Sequence, residues 1–261
     1  MCGIAGIVRR SGSVALDLVR SLKRLEYRGY DSAGIAVVGR SGIRVVKGAG
    51  RIEKVLVEDL IRGIEGRTGI GHTRWATHGA PTNENAHPHL DCTGKIAVVH
   101  NGIIENFSEL REELRSRGHV FRSETDTEVV PHLIEEGISQ GLSPLEAVFR
   151  AVMRLEGSFA LGIIFSGRNE IYAVRNRSPL LIGLGEGENY ISSDIPAVLP
   201  YTRRFIPLED MDVALVTPED VSIWSLSGGD PVRVERAVME VPWSPSQVGK
   251  GEFPHFMLKE I

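Results

Sequence analysis

Hydrophobic and polar positions alternate at two different periods along this chain. Residues 2–9 (CGIAGIVR) are small and apolar and predict a buried strand. Residues 14–26 place Val14, Leu18, Leu22 and Leu25 at helical spacing. Two strands follow, around 33–39 and 43–48, joined by Gly39-Arg40-Ser41-Gly42, a hairpin connection. A helix near 53–62 leads to Thr68–Arg74 and then to a polar stretch that ends near 94. Lys95–His100 (KIAVVH) predicts another strand. Helices are expected at 107–117, 126–138 and 144–155, the last opened by Ser143 as N-cap with Pro144 at N1.

From residue 158 strands dominate: 158–165, 170–175, 180–184, 189–193, 212–216 and 222–225, separated by Gly, Asn and Pro turns. Tight turns between many short strands point to antiparallel sheets with helices packed outside, an α+β chain. Gly183–Gly187 has the wrong glycine spacing for a dinucleotide loop and predicts a hairpin. Pro242–Glu252 holds two Pro, two Gly and two Ser and predicts a linker, so the main domain is expected over 1–241, with 242–261 starting a connection to something further.

Composition narrows the function classes. Over 261 residues the chain is 42% hydrophobic and 25% charged, as a globular protein requires. Its 30 basic and 34 acidic side chains leave no cationic excess to meet phosphates, which argues against nucleic acid as a partner. No apolar run approaches a membrane span and no secretory segment opens the chain. Two cysteines, Cys2 and Cys92, suggest a reduced, cytoplasmic setting, with Cys92 a bystander.

Four segments carry candidate chemistry. Removal of Met1 would leave Cys2 with a thiol and an α-amino group on one residue, a nucleophile beside a base that titrates near ~8; the alternative is a small core residue. Gly71–Gly79 (GHTRWATHG) packs a cation, an aromatic, two hydroxyls and two imidazoles between glycines, and suits either a ligand loop or a polar surface loop. Asn101-Gly102 ends the strand at 95–100 and offers either a turn or a pair of donors for a developing oxyanion. In SETDTE at 123–128, Thr125 and Glu128 fit a capping box, while Asp126 can hold an ammonium. His72, His78, His87, His89 and His100 cluster in sequence, but without helical i, i+4 pairing or CxxC they predict no metal site.

Taken together, MCGIAG at 1–6, YRGYDSAG at 27–34, GHTRWATHG at 71–79, NAHPH at 85–89, HNGIIEN at 100–106 and SETDTE at 123–128 resemble the class II glutamine amidotransferases. Within that class they resemble the glutaminase domain of the glutamine–fructose-6-phosphate aminotransferase family, over essentially the whole chain. The resemblance implies an N-terminal-nucleophile hydrolase fold, a four-layer αββα sandwich of two antiparallel sheets. It implies that Cys2 attacks the side-chain amide of L-glutamine with its α-amino group as base, and that Asn101 and Gly102 stabilise the oxyanion. Arg74 would bind the substrate carboxylate and Asp126 its ammonium. Trp75, Thr77, His78 and His87 would line the site, and Arg28 would position the N-terminus.

The residues agree with that assignment. A zwitterion needs one cation and one anion, and acyl transfer needs a nucleophile, a base and an oxyanion hole. No cofactor and no metal is expected. The sugar-isomerase domain that acts on fructose 6-phosphate in this family is expected to be missing here, so the chain alone should release ammonia without making glucosamine 6-phosphate; the full-length enzyme would be a homodimer. The alternatives are the glutaminase part of another class II enzyme, such as amidophosphoribosyltransferase, a non-catalytic glutamine-binding module, and a zinc protein using the histidines.

Overall fold

A computed structural model describes residues 2–76, 79–242 and 258. The chain runs β1 (Gly3–Arg9), α1 (Ala15–Lys23), β2 (Ser32–Gly39), β3 (Gly42–Ala49), α2 (Ile52–Val55), α3 (Glu58–Arg62), β4 (Thr68–Arg74), β5 (His89–Leu90) and β6 (Ile96–Ile104). Then come α4 (Phe107–Ser116), α5 (Val129–Ser139), α6 (Pro144–Val152), β7 (Gly157–Phe165), β8 (Ile171–Asn176), β9 (Leu181–Leu184) and β10 (Glu188–Ser192). Short strands close it: β11 (Arg204–Pro207), β12 (Asp212–Val216), β13 (Val221–Ser225), β14 (Val232–Val234) and β15 (Met239–Glu240).

Two antiparallel sheets result, ordered β15-β11-β9-β10-β1-β4-β2-β3 and β14-β13-β12-β8-β7-β6-β5. The unalternating apolar run of β1 has a direct cause. Ile4 and Val8 face the layer between the sheets, while Ala5 and Ile7 face α1. In β7, likewise, Ala160 and Ile164 point to the inter-sheet layer and Phe159, Leu161 and Ile163 to α4–α6. Successive side chains leave opposite faces of a strand, and here both faces are covered. The layers are therefore helix, sheet, sheet, helix, the expected αββα sandwich. Among the described residues no helix is long and apolar enough to cross a membrane.

Several local expectations hold. Gly39–Gly42 turns the β2–β3 hairpin, and Leu184–Glu188 the β9–β10 hairpin. Ser143 caps α6 in a full capping box with Glu146. Others are corrected. The helix expected at 53–62 is two short helices, broken at Leu56-Val57. The strand expected at 95–100 runs on to Ile104, so Asn101-Gly102 lies inside β6 instead of ending it in a turn. Gly102 makes this possible: its φ is +122°, and a Cβ there would lie 1.9 Å from the Ser158 carbonyl oxygen. The capping box at Thr125 does not form. Glu128 instead accepts from the backbone N–H groups of Arg122 and Ser123, at 2.8 and 2.7 Å, and from the Ser123 hydroxyl at 2.6 Å. The expected linker falls, beyond Pro242, outside the described residues.

Four of the clustered histidines pack against one another, with His72 on β4 opposite Ile4 of β1. His72 stacks on His87 with ring centroids 4.3 Å apart, His89 meets His87 edge-on at 4.7 Å, and His100 lies parallel to His87 at 6.5 Å. Lys47 holds the segment that carries His87, its Nζ donating to the carbonyls of Glu84, Ala86 and Pro88 at 3.1, 2.6 and 3.1 Å. Gly34 lets that segment approach, since a Cβ there would lie 2.2 Å from the His87 oxygen. Burial pushes Lys47 down to about 8 and His72 down to about 3, and takes His87 and His89 well below the ordinary imidazole range.

These rings fold neutral, whereas the unfolded chain takes up protons on them once pH falls below ~6.5. Stability from this cluster is complete above that value and is lost as pH falls towards about 3. The urea midpoint should therefore drop between pH 7.5 and pH 5. His72→Gln, which keeps a donor for its partner, should give a shallower drop. A midpoint that holds or rises on acidification would contradict the neutral packing.

Candidate active site

β1 sits mid-sheet between β10 and β4, so the residue before it emerges beside the end of β4. Cys2 is that residue. Its Sγ accepts from the Trp75 backbone N–H at 3.2 Å and lies 3.5 Å from the Trp75 carbonyl oxygen. Its own carbonyl is held twice, by Arg28 Nε at 3.0 Å and by Asn101 Nδ2 at 3.2 Å. Arg28 is in turn paired with Asp194 at 2.9 Å. Asn101 comes from the other sheet, and its Oδ1 is hydrogen-bonded to His72 Nε2 at 3.0 Å. That bond fixes the amide with its nitrogen towards Cys2.

Burial pushes the Cys2 thiol up, and the Trp75 N–H and the Arg74 charge only partly offset it. The sulfur is thus held as a thiol near neutral pH, and a nucleophilic role needs a base.

Arg74 ends β4 and is 4% exposed. Its guanidinium donates to the Gly79 carbonyl at 3.2 Å and to the Ala80 carbonyl at 3.4 Å. Burial lowers its pKa, against the opposing charges of Cys2, Asp126 and Asp31. Those three groups therefore share its neighbourhood. Asp126 is 5% exposed in the 3-10 turn ahead of α5, and its Oδ2 accepts from Ile104 N–H at 2.8 Å. Asn85 ties the two segments together: Nδ2 donates to the Ala80 carbonyl at 3.0 Å, and Oδ1 accepts from Glu124 N–H at 2.9 Å.

The structure thus brings Cys2, Arg28, Arg74, Trp75, Asn101, Gly102 and Asp126 to one end of the sandwich. Trp75 is about half exposed and meets Tyr30 edge-on at 5.5 Å. His87 lies behind these residues, with both ring nitrogens engaged: Nδ1 accepts from His100 N–H at 3.4 Å, and Nε2 is hydrogen-bonded to Thr127 Oγ1 at 3.3 Å. Its ring is buried against His72. Thr77 and His78 lie outside the described residues.

Three further residues matter that sequence reading did not assign. His72 orients Asn101, Asp194 pairs with Arg28, and Asp31 accepts from Ala76 N–H while its own N–H donates to the Arg74 carbonyl at 3.0 Å. His72 and Asp31 stand inside motifs already singled out and could have been suspected. Asp194 is 166 positions from Arg28 and carried no signal.

Comparison with known proteins bears on the same residues. Residues 72–200 match a family described as the glutamine amidotransferase domain. The whole chain is 49% identical to glutamine–fructose-6-phosphate aminotransferase (isomerizing) of Sulfurisphaera tokodaii, covering 44% of it, and 52% identical to that of Thermus thermophilus, covering 42%. It thus spans less than half the length of these relatives. Among solved structures, glutamine phosphoribosylpyrophosphate amidotransferase from B. subtilis, complexed with ADP and GMP, superposes with a TM-score of 0.75 at 25% identity, over 87% of this chain and 49% of that one. Residues 72–200 thus carry the glutamine amidotransferase domain, and along its whole length the chain is similar to the glutamine–fructose-6-phosphate aminotransferases.

Proposed function

We propose that this chain hydrolyses L-glutamine to L-glutamate and ammonia through a γ-glutamyl thioester on Cys2. Once Met1 is removed, the α-amino group of Cys2 takes the thiol proton, and the sulfur attacks the side-chain amide carbon. The Asn101 Nδ2 amide, with one N–H already on the Cys2 carbonyl, offers its second N–H to the oxyanion together with the Gly102 backbone N–H. Ammonia leaves with the proton returned by the α-amino group, and water then releases glutamate from the thioester. Arg74 forks onto the α-carboxylate and Asp126 meets the α-ammonium. Thr77 and His78 complete the substrate contacts, and Trp75 caps the bound amino acid.

The observation that carries this reading is the convergence of a sulfur, an oriented amide, a buried cation and a buried carboxylate at one end of the fold. No other set of residues described above matches a zwitterion with a reactive amide so completely. The ammonia would serve amide-nitrogen transfer to fructose 6-phosphate, giving glucosamine 6-phosphate, on a sugar-isomerase domain like that of the longer relatives. Identity near 50% to those enzymes, against 25% to the purine-pathway structure, favours the aminosugar reaction over phosphoribosylamine synthesis. A cytoplasmic homodimer of the longer enzyme is part of the same proposal.

Cys2→Ala should abolish glutamine-dependent ammonia release while leaving the circular dichroism and Tm within about 2 °C of the parent, since the site lies at a strand end. Hydrolysis at the parent rate would refute the nucleophile. Arg74→Lys should raise KM for glutamine by about 10- to 100-fold with a much smaller change in kcat, because a fork becomes a point charge. An unchanged KM would remove Arg74 from substrate binding.

A further inference from the structure

Cys92 was expected to be a bystander, and its surroundings say otherwise. It lies on the Asp91–Gly94 turn between β5 and β6, exposed at the surface. Its Sγ is 3.6 Å from His119 Nδ1 and 3.6 Å from His132 Nδ1. Glu135 Oε2 lies 3.0 Å from the first of these nitrogens and 3.2 Å from the second. The ligand atoms of all four residues lie within 4.8 Å of one another. His132 and Glu135 stand one turn apart on α5, and His119 follows α4, so three separate segments converge on one point.

Bond lengths give these spacings a meaning. Four-coordinate zinc, with Zn–S of about 2.3 Å and Zn–N and Zn–O of about 2.0 Å, sets sulfur about 3.5 Å from each nitrogen and nitrogen about 3.3 Å from oxygen. The two sulfur–nitrogen distances above lie close to these spacings and the two nitrogen–oxygen distances are slightly shorter. The outer partners fit as well. His119 Nε2 is 3.1 Å from Glu136 Oε1, and His132 Nε2 faces Glu128 Oε1 at 3.9 Å. At His119 the carboxylate at hydrogen-bond distance favours the proton on Nε2 and turns the Nδ1 lone pair inward. Cys92 Sγ accepts from the Val120 N–H at 3.4 Å. Nitrogen, sulfur and oxygen donor atoms aimed at one point are held together either by protons on the rings or by a metal ion between them.

We propose that Cys92, His119, His132 and Glu135 form a structural site for a divalent transition metal, zinc being the best match to one thiolate, two imidazoles and one carboxylate. It is separate from the glutamine site and independent of it. All four positions are filled by protein, which gives the metal a cross-linking role: it ties the β5–β6 turn to the outer helical layer. Binding releases the thiol proton to solvent, so affinity falls as pH falls.

The test uses the full chain without an affinity tag, stripped with a chelator and titrated with cobalt(II). Cys2→Ser leaves Cys92 as the only thiol. That variant should take up one equivalent of cobalt, with the near-ultraviolet thiolate-to-cobalt band and the strong visible bands of a four-coordinate ion. Saturating zinc should displace the cobalt and raise Tm by about 5 °C, reversibly with chelator. Cys92→Ser should lose the charge-transfer band and most of the Tm rise. Failure of the Cys2→Ser protein to show the thiolate band, or a band and Tm rise that persist in Cys92→Ser, would overturn the site; protons on the two rings would then satisfy the same atoms. If Cys92→Ser does not fold, the spectrum of the Cys2→Ser protein decides alone.

Discussion

The double anchoring of the Cys2 carbonyl is the constraint on which the site depends. A chain end ordinarily frays, because few contacts offset the entropy of ordering it. Here the first strand lies mid-sheet, hydrogen-bonded on both sides, and the residue before it is gripped by Arg28 from one direction and Asn101 from the other. The Asn101 contact crosses from one sheet to the other. It makes the position of the sulfur a property of how the two sheets pack, and no property of a loop. His72, buried and neutral in the first sheet, completes the link by holding the Asn101 oxygen.

The same packing explains why the polar residues of the site are buried. Arg74 and Asp126 are charges withdrawn from water, which is costly unless partners are supplied. Arg74 has backbone carbonyls and Asp126 has the Ile104 N–H. The charges of Asp126 and Asp31 also act on Arg74, so a cation and an anion stand close together at this end of the fold. Under the proposed function, a zwitterionic amino acid would meet both at once. The imidazoles behind them carry no charge and add rigidity without competing for that ligand.

Much of the architecture was legible in the chain, for physical reasons that differ by element. The helix at Ala15–Lys23 and the capping box at Ser143 are local signals, written in spacing and in one short side chain, and both appear as read. The strands of the second half were legible because turn residues punctuate them. β11, β14 and β15 escaped because they are short edge or near-edge strands paired by tertiary context more than by pattern. Asn101-Gly102 looked like the end of a strand because Asn-Gly is a turn dipeptide in isolation; the close approach of Ser158 holds it in β6. Thr125 and Glu128 had capping-box spacing, yet Glu128 turns to the backbone of Arg122 and Ser123. Burial opposes its ionisation, but the nearby His132 ring and the hydrogen bonds from Ser123 and Arg122 outweigh that and hold it down at about 2. Cys92 and its three neighbours were invisible because they come from segments that only the fold brings together.

The most direct test of the central claim is to mix the chain with L-glutamine, quench in acid within one turnover, and identify modified peptides by mass spectrometry. A γ-glutamyl adduct on the peptide that begins at Cys2, formed and lost at rates that match glutamate release, is the predicted result. Glutamate release with no adduct on Cys2, or an adduct on Cys92 alone, would contradict the claim that Cys2 is the nucleophile.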